Sequence, residues 1–196
     1  MRLVLASQSP SRLMILNNAG VDPVQHPAHV DEDAIISSLS GSAPADVVSA
    51  LARAKADAVA PGYPDDIVVG CDSMLLLNGQ LQGKPHTAEE TIRRWKAQRG
   101  QTAELITGHA IGFHGEWVVD SVSTRIHFAD AADADIEAYA HSGEPLECAG
   151  AFTLEALGGW FIDSIEGDQT SVIGLSLPLL RKALYSFGVN ASDLWR

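Results

Sequence analysis

Positive charge is scarce in this 196-residue chain: 13 Lys and Arg face 25 Asp and Glu, a formal net charge of −12. A general nucleic-acid binder needs a basic face to displace counterions, so no nucleic acid is expected among the partners. Cysteine is nearly absent. Cys71 and Cys148 lie far apart, in neither a CxxC nor a zinc-site spacing, which excludes a disulfide scaffold and a zinc ribbon and favours a reducing compartment. Long apolar runs are also missing. Leu3 to Ala6 is too short for a signal peptide, and no run of about 18 apolar residues, the length a membrane helix needs, occurs anywhere. The expectation is a soluble, cytoplasmic protein with no membrane partner. The histidines form no HExxH and no zinc-spaced pair, and read as structural or surface groups. No GxSxG elbow is present, and neither cysteine sits in a nucleophile signature.

What remains is an ordinary globular balance, 46% hydrophobic and 19% charged, long enough to bury a substantial core. The length fits one domain, or one domain pinched into two lobes, and no repeat, low-complexity stretch or long linker divides it. Leu3–Ala6 reads as a buried strand. Ser9-Pro10 gives an N-cap with proline at the first helical position, opening a largely buried helix that Gly20 closes. A polar loop over residues 26–33 precedes a helix from Pro44 to Val59, whose apolar face is Val47, Val48, Leu51, Ala52 and Val59. Ile67–Gly70 reads as a short buried strand, and Met74–Leu77 with Asn78-Gly79 as a hairpin with a type I′ turn. Thr87 and Glu90 predict a capping box on a helix running to Gly100. Strands over about 102–113 and 117–128 are joined at His114-Gly115; a helix over 133–141, a strand around 160–165 and a helix from Pro178 follow. The order predicts an α/β (mixed α+β) sheet protein.

Several clusters have the chemistry of a phosphate site, and each also has a plain structural reading. Ser7-Gln8-Ser9-Pro10-Ser11-Arg12 lies between a strand and a helix start, where free amides, two hydroxyls and a guanidinium suit an anion; a capped helix with a surface arginine has the same sequence. Asp31-Glu32-Asp33 suits a hard divalent cation or a solvated loop. Asp72, in GCDS at the expected end of a strand, could hold a metal, activate water or cap a turn. Asn78 to Pro85 is not a P-loop, since three residues rather than four separate its glycines and Pro85 follows Lys84. Pro85 does restrict Lys84, which aims its ammonium; a surface turn lysine reads identically. Lys55, between Ala54 and Ala56, alone reads as a solvent-facing helix lysine.

Taken in order, these segments resemble the Maf family. The matching motifs are LVLASQSPSR, Val30-Asp31-Glu32, A-x-x-K-A at Ala52–Ala56, GCDS, G-K-P at Gly83–Pro85, Arg99–Thr102 and Thr107-Gly108. The later ones are G-E-P-L-x-x-A-G at Gly143–Gly150, Ile165–Gly167 and V-I-G-L-x-L-P-L-L at Val172–Leu180. The resemblance covers nearly the whole chain, residues 1–196 as a single Maf-like domain. It implies an elongated mixed sheet with two lobes flanking a cleft, similar to inosine triphosphate pyrophosphatases, and a homodimer. It implies hydrolysis of nucleoside triphosphates to the monophosphate and pyrophosphate. Ser7, Ser9, Arg12, Lys55 and Lys84 would then grip the triphosphate, while Glu32 and Asp72 hold Mg²⁺ or Mn²⁺ and Asp72 accepts the proton. Ser11, Ser73 and Glu155 match the positions that tune the base. They depart from the Arg, Thr and Gln of the thymidine- and uridine-selective subgroup, and CAGAFTLE looks closer to the 7-methyl-GTP type. A carboxylate at Glu155 would accept hydrogen bonds from guanine or the cytosine amino group and repel uracil O4, unless it simply faces solvent. The alternative, from a different class, is a nucleotide-binding regulator of septum formation with little turnover. A proton acceptor has no use in such a binder.

Overall fold

Seven strands fold here into one mixed sheet, as the computed structural model describes for residues 1–196. The strands are β1 (Leu3–Leu5), β2 (Val24–Gln25), β3 (Ile67–Leu77), β4 (Gln80–Gln82), β5 (Thr102–Phe113), β6 (Glu116–Phe128) and β7 (Ile162–Glu166). Their order is β2-β1-β3-β5-β6-β7, with β4 paired to β3. β1 runs parallel to β2 and β3, whereas β3–β4 and β6–β7 are antiparallel. The helices are α1 (Pro10–Asn18), α2 (Glu32–Ser38), α3 (Pro44–Val59), α4 (Ala88–Gln98), α5 (Asp133–His141), α6 (Gln169–Ile173) and α7 (Leu177–Ser186). The α/β class read from the sequence is the class observed.

The chain packs as two compact units. The first comprises Met1–Asp72, Thr107–Val122 and Gly174–Arg196, and the second Ser73–Ile106 and Ser123–Ile173. In the first unit α3 lies against the sheet, its Ala52, Ala56 and Val59 packing with Val4, Ala6, Val68 and Ala110. Two glycines let it approach closely. A Cβ on Gly70 would run into the Ala52 carbonyl and the Ala56 backbone, and one on Gly108 into the Val48 carbonyl. Backbone therefore rests on backbone, and small residues are required on both sides.

The second unit has an aromatic centre. Trp95 on α4 is fully buried and meets Phe128, Tyr139 and Phe161 edge-on or tilted, with ring centroids 5.4 to 5.8 Å away. Its indole N–H donates to the Ala151 carbonyl at 2.7 Å, which satisfies the one polar atom that a buried tryptophan carries.

Several sequence expectations need correction. β3 is one strand of 11 residues, not a short strand followed by a separate hairpin arm, so Asp72 lies inside the ladder and not at a strand end. Residues 26–33 are not all loop: Asp31 accepts from the Ala34 amide at 3.0 Å and caps α2, which puts Glu32 in its first turn. α1 buries only Ile15 and Leu16, with Leu13 and Met14 half-buried. Thr87 does cap α4, accepting from the Glu90 amide at 3.2 Å; the Glu90 carboxylate turns instead to Arg93 and Arg94, each at 2.7 Å. The last strand begins only at Ile162, because Leu157–Phe161 forms a 3₁₀ turn. The type I′ turn is as expected, with φ of 50° at Asn78 and 78° at Gly79.

Candidate active site

β1 ends at Leu5 and the chain turns through Ala6–Ser9 into α1, so the charged cluster begins at a helix start. Ser9 caps α1, its hydroxyl accepting from the Arg12 amide at 3.4 Å, and Pro10 occupies the first helical position. The buried Ser7 hydroxyl accepts from the Ser9 amide at 3.2 Å and from Arg12 Nη1 at 3.1 Å. Arg12 Nε donates to the Gly174 carbonyl at 2.8 Å. Gly174 has φ of 134°, and a Cβ there would come within 3.2 Å of Arg12 Nε. The guanidinium is thus oriented by two fixed acceptors within the first unit.

Strand alternation delivers the second half of the cluster. Val68, Gly70 and Asp72 share one face of β3, and Val68 and Gly70 are the residues against α3. Asp72 therefore points toward the same helix, where Lys55 lies three residues beyond Ala52 on the face packed to the sheet. Lys55 Nζ donates to Asp72 Oδ1 at 2.6 Å and pairs with Glu32 Oε1 at 3.0 Å. The Lys55 side chain is only 12% exposed, so the solvent-facing reading of this lysine does not hold.

Asp72 is buried, and its Oδ2 has no hydrogen-bond partner. Burial pushes its carboxyl above the usual carboxylate range, against the opposing pull of Lys55 and Arg12. The neighbouring Cys71 thiol is pushed up to about 11, chiefly by burial, and stays neutral at physiological pH. Burial therefore disfavours the thiolate at this position.

No group of three or more His, Cys, Asp or Glu stands together as a metal cage. The donor set does fit a hard divalent cation of the magnesium kind. Two carboxylates, Glu32 and Asp72, converge on one ammonium, and one Asp72 oxygen is left without a partner. Such ions commonly take one or two carboxylates and draw other ligands from water and substrate phosphates.

The first unit thus gathers Ser7, Ser9, Arg12, Glu32, Lys55 and Asp72, with Ser11 half-buried on α1. Lys84, Ser73 and Glu155 belong to the second unit. There Lys84 pairs with Glu147 at 3.2 Å, while His86 Nδ1 meets the other Glu147 oxygen at 3.1 Å. His86 and Lys84 together hold the Glu147 carboxyl below its usual range. Ser73 is half-buried, and Glu155 is exposed, its Oε2 accepting from the Leu154 amide at 3.1 Å.

One residue escaped the sequence reading. Glu144, quoted only as part of G-E-P-L, accepts from the Tyr139 hydroxyl at 3.1 Å, the Gly158 amide at 3.0 Å, the Leu157 amide at 3.1 Å and the Thr153 hydroxyl. No local signal marks it, because its donors come from positions up to 14 residues away.

The chain's residues 2–187 match the Maf-like protein family. A protein of Corynebacterium efficiens named nucleoside triphosphate pyrophosphatase is 71% identical over 195 residues, covering 100% of this chain and 99% of that one. Proteins of the same name from Corynebacterium jeikeium and Nocardia farcinica are 56% and 54% identical, over 100% and 99% of this chain and 100% and 96% of theirs. Among solved structures, that of the Staphylococcus aureus Ham1 protein aligns at 17% identity with a TM-score of 0.42, over 67% of this chain and 73% of that one. With a profile match from the first strand to the last helix and full-length relatives at this identity, the chain belongs to the Maf-like protein family.

Proposed function

We propose that the chain hydrolyses nucleoside triphosphates to the monophosphate and pyrophosphate. One observation carries this reading: Lys55 is held between Glu32 and a buried Asp72, in the same unit as the oriented Arg12 and the Ser7 and Ser9 hydroxyls. An acidic protein has concentrated its scarce cations beside a carboxylate that favours taking a proton. The names of its relatives add support.

In this mechanism Arg12 and Lys55 pair with phosphate oxygens, and the Ser7 and Ser9 hydroxyls donate to others. The oxygen of a water bonds to phosphorus at the α–β bridge, and the bridging P–O bond breaks. Asp72 takes the water proton, and pyrophosphate departs with the bonding pair. Glu32 and Asp72 would hold Mg²⁺ or Mn²⁺, which when bound polarises phosphoryl oxygens and acidifies water. No covalent nucleophile is required, in agreement with the neutral Cys71.

Following the resemblance, Lys84 is given a further phosphate to hold, and Ser11, Ser73 and Glu155 a part in choosing the base. The carboxylate of Glu155 favours guanine, and a positively charged 7-methylguanine above all, over uracil. Homodimeric assembly belongs to the same proposal and is tested by sedimentation. The reading itself is tested by product analysis over a panel of ordinary and methylated nucleoside triphosphates, with Mg²⁺, Mn²⁺ or chelator. Equimolar monophosphate and pyrophosphate, abolished by chelator, are expected. Release of orthophosphate, or binding of nucleotide without turnover, contradicts it.

A further inference from the structure

The 3₁₀ turn at Leu157–Phe161 and the segment leading into it carry Glu155, an exposed residue on a stretch with almost no regular secondary structure. Such a stretch orders only if its polar groups find fixed partners. The second unit supplies them from two sides. On one side, Gly150 and Ala151 adopt left-handed φ of 72° and 58°; the Gly150 carbonyl accepts from Gln98 at 3.2 Å and the Ala151 carbonyl from Trp95 at 2.7 Å. A left-handed alanine is strained, and such strain persists where the surroundings over-determine the backbone.

On the other side is Glu144. One of its oxygens accepts from Tyr139, Thr153 and the Gly158 amide, and the other from the Leu157 amide. The Thr153 hydroxyl also receives the Gly158 amide at 3.2 Å, and the Tyr139 hydroxyl receives the Thr153 amide at 3.1 Å. Gly158 is buried here and has no room for a side chain, since a Cβ would strike Thr153 and the Tyr139 hydroxyl. Residues 153 and 158 are therefore pinned to one carboxylate, and the four residues between them form a closed loop with Glu155 on its outer side.

We infer that Glu144 is a positioning residue for base selection: it clamps the loop at Thr153, Leu157 and Gly158 and so fixes the direction in which Glu155 presents its carboxylate. The inference rests on the nucleotide reading proposed above. Burial opposes ionisation of Glu144, but the hydrogen bonds donated to it prevail and hold its carboxyl below the usual range, so the clamp is an ionised acceptor at neutral pH. An amide in its place would present one N–H₂ to a donor and lose the charge.

The test uses Glu144→Gln, Thr153→Val and Thr153→Ser, with Glu155→Gln and the Glu144→Gln/Glu155→Gln double variant. Folding is checked by circular dichroism, and hydrogen exchange reports the Leu157 and Gly158 amides. Selectivity is read as the ratio of guanosine to uridine triphosphate in kcat/KM, and as the same ratio in Kd for non-hydrolysable analogues. We expect faster exchange at both amides in Glu144→Gln and a selectivity ratio reduced about 3- to 10-fold. Thr153→Val should follow in the same direction and Thr153→Ser should retain the wild-type ratio. The double variant should be no less selective than Glu155→Gln alone, because both changes act through one carboxylate. A uniform loss on all nucleotides with the ratio unchanged, or additive effects in the double variant, would overturn the inference. A wild-type chain that binds nucleotides selectively without turning them over would refute the hydrolase reading instead, and the Kd ratios would still judge the clamp.

Discussion

Lys55 and Lys84 are assigned the same partner by resemblance, a phosphate, yet the structure surrounds them differently. The Lys55 side chain is 12% exposed and sits between two carboxylates, one of them buried; that of Lys84 is 43% exposed and touches one carboxylate, Glu147, itself 67% exposed. The first lysine is part of how its unit folds, because without it the buried Asp72 carboxylate loses the ammonium hydrogen-bonded to it. The second is a surface pair, screened by water and weak on its own. Two cations with one proposed role should therefore fail in different ways when removed.

The largest effect is expected for Lys55→Met. Breaking a buried pair leaves an uncompensated charge, at a cost of about 3–5 kcal/mol, and activity should be lost with it. The pH dependence identifies the cause. Asp72 titrates above the ordinary carboxylate range in the folded protein, and removing Lys55 raises it further. Between the unfolded and folded pKa values the folded state binds the extra proton, so stability falls as pH rises through that window. Melting temperature against pH should accordingly show Lys55→Met recovering part of its deficit in acid. A deficit independent of pH would mean that lost packing, not charge, is responsible.

Gly70→Ala should come next. Its methyl group would meet the Ala52 carbonyl, pushing α3 off the sheet and carrying Lys55 away from Asp72. Overpacking of this kind costs about 1–3 kcal/mol, read by denaturant unfolding, and should reduce turnover although no charged group has changed. Lys84→Ala sharpens the contrast from the other side: stability within about 0.5 kcal/mol of wild type, with KM raised about tenfold. Equal destabilisation by the Lys55 and Lys84 substitutions would break the comparison. The smallest effect is expected for Glu147→Gln, which weakens the contact holding Lys84 and should lower KM about 2- to 3-fold, as measured at low ionic strength.

How much of this could be read from the sequence differs by element. α3 was legible to the residue, since Pro44 and an uninterrupted apolar stripe define it. α2 was not, because it buries no side chain and exists through the Asp31 cap. The sequence divides β3 into Ile67–Gly70 and Met74–Leu77, whereas Gly70 is small to admit a helix and the ladder continues through Asp72. The chemistry of the residues marks Ser7 to Arg12, Asp31 to Asp33 and Asp72 one cluster at a time, and the ordered resemblance joins them with Lys55 into one expected site. Their pairing was hidden: Lys55 flanked by alanines reads as exposed, and the spacing of Ala52, Lys55 and Ala56 on one small-residue face was the available clue. Glu144 could not be found at all, since an ionised clamp is defined by donors that only the folded loop brings together.

The central claim is that Asp72, kept basic by burial beside Lys55, takes the proton from the attacking water. Asp72→Asn keeps the shape and removes the acceptor. The account predicts a loss of about 10²- to 10⁴-fold in kcat, with nucleotide binding retained and melting temperature within a few degrees of wild type. Turnover of Asp72→Asn within about threefold of wild type, well short of what losing a general base costs, would contradict it.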